Sequence, residues 1–364
     1  METKNTPPPS QSSPTPPPSP PPAPNLQHFK RKFLAQAPLT PTFNAISLFN
    51  PPPTCFHQPC QSGIATIISA ALNSPTPPSF RYSLKVLQLY SKNAEAAGFF
   101  VEDDEFMVIL KTAIDVCKKI TEPESDLLCY ECFESTDPTL LPTKSPLAIR
   151  IAPFHNDVGL RCWEAGYFLA EFFLCHPEII RNKRVLELGA GVGLTGLVCA
   201  GSPTLRCPSV HMTDYTPETI VNMKHNVLIN SEWLGEVNNK DSCTVGFLDW
   251  TELAEEKSVE GVSYLNRAEV LIAADCVYDR DYIPHLVAAV KLLLEGGGGN
   301  KQAIFATTFR NEATFELFIS SLQSYSVKYE ELKIPDAGLG EKYEIFDRFY
   351  IQQRSEMRIH KFTL

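Results

Sequence analysis

Val185-Leu186-Glu187-Leu188-Gly189-Ala190-Gly191-Val192-Gly193-Leu194-Thr195-Gly196 is the stretch on which the fold turns. A short apolar run ends in glycines and resumes with helical spacing, which predicts strand, tight turn and helix in succession. Glycines let the backbone turn sharply and approach a ligand with no Cβ in the way. The amides opening the following helix favour polar ligand atoms. The stretch also holds Gly191-x-Gly193-x-x-Gly196, the dinucleotide fingerprint. By itself, then, it indicates a nucleoside cofactor and leaves S-adenosylmethionine and a nicotinamide dinucleotide both open.

Outward from this turn, short β-branched runs alternate with helical stretches. Strands are predicted at 183–188, 208–213, 243–248, 268–275 and 301–308. Helices fall near 194–201, 216–229, 283–295 and 311–323, and another over Glu164–Leu174. Two last strands fit 325–332 and 344–350, with a further run at 356–363. Such alternation means an α/β fold with a mostly parallel, doubly wound sheet. Sheets of this kind bind ligands in the crevice beyond the carboxyl ends of their strands.

Upstream, residues 27–125 read as a helical accessory region broken by Pro-rich loops. Tyr82, Leu84, Val86, Leu87, Leu89 and Tyr90 mark one helix, and Phe106, Leu110, Ile114 and Cys117 mark another. Phe29-Lys30-Arg31-Lys32-Phe33-Leu34 reads as the start of a helix. Residues 126–152 predict short strands broken at Pro138, Pro142 and Pro146, and open a second domain that runs to 364. Residues 1–26 are dominated by Pro, Ser, Thr and Ala, a composition that cannot bury a core and predicts a disordered tail. A transit peptide is the weaker reading of this start, because the first two dozen residues hold one Lys and no Arg.

The whole chain has 364 residues, 43% hydrophobic and 20% charged, with a formal net charge of −10, which suits a soluble globular protein and disfavours broad nucleic-acid binding. Its 11 cysteines are irregularly spaced, so they read as reduced thiols in a cytoplasmic or nuclear protein. Cys129 and Cys132 form a C-x-x-C pair without two further ligands at similar spacing, so no metal site is expected. No apolar run reaches the ~18 residues that a membrane span needs.

Four acids and aromatics at strand ends carry the chemistry. Glu187 precedes the glycines, where its carboxylate can meet the ammonium of a methionine moiety and would repel a pyrophosphate. Asp214 ends the second strand, the place from which an acid accepts ribose hydroxyls. Asp249-Trp250 ends the third, and an indole there packs against adenine or simply fills the core. Asp275 and Tyr278 follow the fourth. If a helical turn starts there, both side chains share a face and can hold an amine, by charge and by cation–π contact. The competing reading of the pair is a helix cap followed by a packed tyrosine. Trp163 precedes the helix Glu164–Leu174, whose Tyr167, Phe168, Phe172 and Phe173 are expected in the core.

Together, Trp163, the Glu187–Gly193 loop, Asp214, Trp250 and Asp275-x-x-Tyr278 resemble the family-16, D-x-x-Y type seven-stranded protein-lysine methyltransferases. The resemblance runs from about residue 27 to the end. It implies a Rossmann-like, seven-stranded class I methyltransferase sheet with S-adenosylmethionine as cofactor. By position it implies that Trp163, Glu187, Gly189, Ala190, Gly191, Asp214, Trp250 and Ala274 bind the cofactor, and that Asp275 and Tyr278 face the target lysine. Four further stretches resemble the members of that family that act on translation elongation factor 2. They are Phe29–Leu34, His176–Asn182, Thr308–Thr314 and Phe362-Thr363-Leu364. The resemblance implies a protein substrate, a cytoplasmic monomer, and neither nucleic acid nor membrane as partner. The chain departs from the family at Asn156–Cys162, where a Thr-Gly pair is usual.

Two other classes stay open on sequence grounds. One is a dinucleotide-dependent oxidoreductase, supported by the glycine loop and Asp214. The other is a non-catalytic adaptor that docks partners through its Pro-rich tail.

Overall fold

The computed structural model describes residues 26–36, 56–120, 128–135, 137–152, 158–237, 242–256, 263–296, 301–332, 346 and 356–364. The Pro-rich run 1–25 and all but Phe346 of the strand expected at 344–350 lie outside the described residues.

Four helices come first: α1 (Leu26–Leu34), α2 (Gln58–Leu72), α3 (Phe80–Ala96) and α4 (Asp104–Lys119). Ser79 caps α3 by accepting from the Tyr82 amide, and Asp103 caps α4 by accepting from the Phe106 amide. They pack around Phe29, Phe33, Ile64, Ile68, Leu87, Tyr90 and Phe106. In α4 the buried side is Phe106, Ile109 and Ala113, so the series expected through Ile114 and Cys117 is rotated by one position. Phe106 is fully buried and packs its ring against Tyr90 of α3, with ring centres 5.4 Å apart.

A two-stranded antiparallel hairpin follows, β1 (Cys129–Phe133) against β2 (Leu147–Ile151). Cys129 and Cys132 both lie buried in β1, and burial pushes the Cys132 thiol up to about 11.

The rest of the chain builds one sheet. Its elements are α5 (Glu164–Cys175), β3 (Val185–Leu188), α6 (Leu194–Gly201), β4 (Val210–Asp214), α7 (Pro217–Ile229), α8 (Ser231–Gly235), β5 (Cys243–Phe247), α9 (Trp250–Glu256), α10 (Ser263–Arg267), β6 (Val270–Ala274), α11 (Ile283–Glu295), β7 (Gln302–Thr308), α12 (Glu312–Ser324), β8 (Lys328–Glu331) and β9 (Met357–Thr363). Strand order is β5-β4-β3-β6-β7-β9-β8. The first five strands are parallel, and β9 runs antiparallel to β7 and β8. The run at 356–363 is therefore a strand of the sheet.

Both faces of the sheet are covered. Val185, Met212 and Ile272 look toward α5 and α6, while Leu186, Leu188, Leu271 and Phe305 look toward α11 and α12. Burial on both faces explains why these strands read as continuous apolar runs. Tyr167, Phe168, Phe172 and Phe173 of α5 are buried as expected. The chain leaves β3 in one direction through β4 and β5, and in the other through β6 and β7. The switch point between β3 and β6 thus sets the glycine turn beside the end of β6. No helix among the described residues is long and apolar enough to cross a membrane.

Candidate active site

The crevice at that switch point has a volume of about 300 Å³. All ten residues named above as candidates line it: Trp163, Glu187, Gly189, Ala190, Gly191, Asp214, Trp250, Ala274, Asp275 and Tyr278.

The glycine turn forms its floor. Gly189 and Gly191 have φ of +58° and +56°, a region where a side chain is strained. A Cβ on Gly189 would also stand 2.7 Å from Cys276 Sγ and 3.2 Å from the Trp250 ring. The turn is pinned from β4, since the Ala190 amide donates to Thr213 O at 2.9 Å and the Gly191 amide to Asp214 Oδ2 at 3.0 Å. Asp214 Oδ1 accepts from the Tyr215 amide at 2.8 Å. Asp214 is thus a brace of the glycine turn as well as an acid facing the crevice.

Glu187 is 2% exposed, and its Oε2 is buried without a hydrogen-bond partner. Burial pushes its carboxyl up to about 8, against the pull of neighbouring Gly196 and Thr195, and Asp214 nearby adds to the rise. A carboxyl raised in this way sits ready for a cation. Gly196 is a glycine because a Cβ there would stand 2.5 Å from that same oxygen.

Trp250 does not end β5. It opens α9, two residues past Leu248, and its ring leans on Gly189. Trp163 caps α5 through its backbone, and its Nε1 donates to Val158 O at 2.9 Å.

Asp275 corrects one expectation. No helical turn begins there, and the next helix starts at Ile283. Asp275 adopts φ +54°, and its amide donates to Ala306 O on β7 at 2.9 Å. Its carboxylate then faces the end of β7: Oδ1 accepts from the Thr308 amide at 3.0 Å, and Oδ2 from Thr308 Oγ1 and Arg310 Nη2, each at 3.1 Å. The Tyr278 ring is 56% exposed at the mouth, with Tyr215 and Tyr282 also on the rim. Its phenol is pushed up to about 12 by partial burial, reinforced by Cys276, Tyr215, Asp279 and Asp214.

Arg310 and Thr308 enter the sequence reading only within the stretch Thr308–Thr314, not as site residues. The Arg310 guanidinium lies 5.4 Å from the centre of the Trp163 ring and 3.8 Å from Glu164, besides its contact with Asp275. The signal was present: Thr308 ends β7, a strand parallel to β6, and Arg310 lies two residues beyond, at the carboxyl end where the crevice opens.

A model of the lysine methyltransferase family matches residues 144–325. Among curated relatives, an uncharacterized protein of Dictyostelium discoideum is 31% identical over 183 residues, 46% of this chain. The chain spans half the length of that relative. The protein-lysine N-methyltransferase EFM3 of Chaetomium thermophilum is 28% identical over 284 residues, covering 73% of this chain and 80% of its own. The protein-lysine N-methyltransferase EEF2KMT of Bos taurus is 25% identical over 308 residues, covering 79% and 82%.

Proposed function

This chain belongs to the lysine methyltransferase family, whose reaction moves a methyl group from S-adenosylmethionine to a lysine, and on that premise we propose that the crevice is the seat of that reaction and translation elongation factor 2 its substrate. One observation carries the placement: the glycine turn, with the buried Glu187 carboxyl and its unpartnered Oε2 in its floor, lies beside Asp275 and Tyr278 in a single crevice.

The residues present fit the cofactor. Glu187 Oε2 answers an ammonium, a need that a dinucleotide lacks. Asp214 faces the ribose hydroxyls, and the Trp250 ring beside Gly189 offers a surface for adenine. Trp163, Gly189, Ala190, Gly191 and Ala274 complete the binding walls. When bound, S-adenosylmethionine supplies a methyl group already activated on a sulfonium.

The protein's part is to place an amine in line with that methyl and to let it arrive neutral. A free lysine ionises at about 10.4, so the neutral amine costs about 4–5 kcal/mol at pH 7. Tyr278, as a phenol held near about 12, walls the lysine channel with its ring and takes no proton at neutral pH. Asp275 orients the amine. In the free protein its charge is balanced by Arg310.

The substrate assignment rests on the four stretches from Phe29 to Leu364 quoted above and on relatives that carry the name EEF2KMT. Tritiated methyl transfer onto a cell lysate, with Asp214→Ala as control, is expected to give one labelled band at the size of elongation factor 2. A labelled band elsewhere overturns that substrate. In the same assay Asp275→Ala is expected to lose at least ~100-fold in turnover, the scale of a misplaced reactant, while S-adenosylhomocysteine affinity stays within a few-fold. Intact turnover removes Asp275 from the mechanism.

A further inference from the structure

The Asp275 carboxylate, read above as the group that orients the target amine, already holds a cation. Arg310 donates to it at 3.1 Å, stands 3.8 Å from Glu164, and lies 5.4 Å from the Trp163 ring centre. A carboxylate and an aromatic face are what a lysine ammonium entering this crevice would seek. Arg310 reaches there from just beyond β7, spanning the mouth from the end of β6 to the start of α5.

We infer that Arg310 occupies the target-amine subsite of the free enzyme and competes with the substrate for Asp275, so that the incoming lysine has to displace it. The inference rests on the methyltransferase reading of the crevice. Three features carry it. Asp275 is fixed, its carboxylate 7% exposed and held by the Thr308 amide and hydroxyl, so the acid does not move when its partner does. Arg310 is 48% exposed, and half-exposed ion pairs are weak, so the guanidinium can leave. Glu164, at 3.8 Å from the same nitrogen and 39% exposed, offers a neighbouring acid on which the displaced guanidinium can settle.

The exchange replaces one cation by another on Asp275, with no net change of charge. A lysine held by the remaining contacts of a docked protein gains enough to win that exchange. A small free amine meets the same cost with no further binding to offset it, so it binds more weakly in the wild type and in Arg310→Ala alike.

The test compares wild type, Arg310→Ala and Arg310→Lys, each checked for S-adenosylhomocysteine affinity by calorimetry as a control for folding. Methyl transfer is measured onto elongation factor 2 and onto Nα-acetyl-lysine. Arg310→Ala is expected to lower KM for the protein substrate about fivefold, the scale of one half-exposed ion pair. It is also expected to raise kcat/KM for Nα-acetyl-lysine by a similar factor, because the same guanidinium has to leave for either amine. Arg310→Lys, which restores a cation, is expected to return both toward wild type. An unchanged or higher KM for the protein in Arg310→Ala, or an unchanged kcat/KM for Nα-acetyl-lysine, overturns the inference and leaves the methyltransferase reading standing. A wild-type enzyme that methylates no lysine at all overturns both.

Discussion

Glu187 carries a carboxyl into a buried place where one of its oxygens, Oε2, has no hydrogen-bond partner. Its folded value of about 8 lies above the ordinary value of about 4.3. The folded state therefore holds this proton more tightly than the unfolded chain. For this group, stability is fullest below about pH 4.3. It falls as pH rises through the window up to the folded value of about 8, and is level above it. A bound ammonium reverses the preference and draws the carboxyl down. At pH 7 the binding of S-adenosylhomocysteine is expected to release close to ~1 proton, seen as a dependence of the calorimetric heat on buffer ionisation enthalpy. In Glu187→Gln that release is expected to vanish, with weaker binding. A wild-type heat independent of buffer would show that Glu187 does not meet the ammonium. The position of Glu187 was legible in the sequence because strand, acid and glycines are consecutive. The partners of Asp275 were not, since Thr308 and Arg310 lie more than 30 residues away and reach it only through sheet order.

At the scale of elements, α7 ties the hairpin to the glycine turn by a ladder of asparagines. Asn222, Asn226 and Asn230 recur every four residues along one face. Asn230 bonds both backbone groups of Ala148, at 3.0 and 2.6 Å. Asn226 Oδ1 accepts from the Arg150 amide at 2.8 Å, and its Nδ2 donates to Arg150 O at 3.3 Å and to Val192 O at 2.9 Å. Asn222 holds the Arg150 guanidinium at 2.7 Å. Asn226→Ala leaves buried backbone groups unpaired on β2 and on the turn, so a loss of about 2–4 kcal/mol is expected in urea unfolding, from one to two such groups. S-adenosylhomocysteine affinity should fall as well, because Val192 belongs to the turn. A variant within ~0.5 kcal/mol of wild type would mean the ladder is incidental. The alternation of β3 through α12 was readable because each element repeats its apolar spacing locally. The ladder was not: on a predicted helix, polar residues at that spacing read as a solvated face. Only the arrival of β2 from 70 residues upstream makes them structural.

At the scale of the molecule, the helical region and the sheet domain meet through β1, which accepts contacts from α1 and from the turn before α3. Gln36 is the joint. Its Nε2 donates to Tyr130 O at 3.0 Å and to Cys129 Sγ at 3.3 Å, while its Oε1 accepts from the Ser79 amide at 3.3 Å. Lys30 adds a half-exposed ion pair with Glu134 at 2.6 Å. Gln36→Ala is expected to cost about 1–3 kcal/mol, as a buried amide removed from its partners. Lys30→Ala should cost under ~1 kcal/mol. The reverse order in thermal or urea unfolding would move the joint to the surface charges. The helical period of α3 was readable in the sequence, but Gln36 could not be weighed without knowing that it is buried. The asparagine ladder has one more consequence. A two-stranded hairpin has two open edges, each a template for a foreign strand. Along β2 that template is already filled by amide side chains that mimic a neighbouring strand while belonging to a helix. Stripping them would do more than loosen the fold: it would hand β2 to the next chain, and the loss would be read as aggregates before it was read as unfolding.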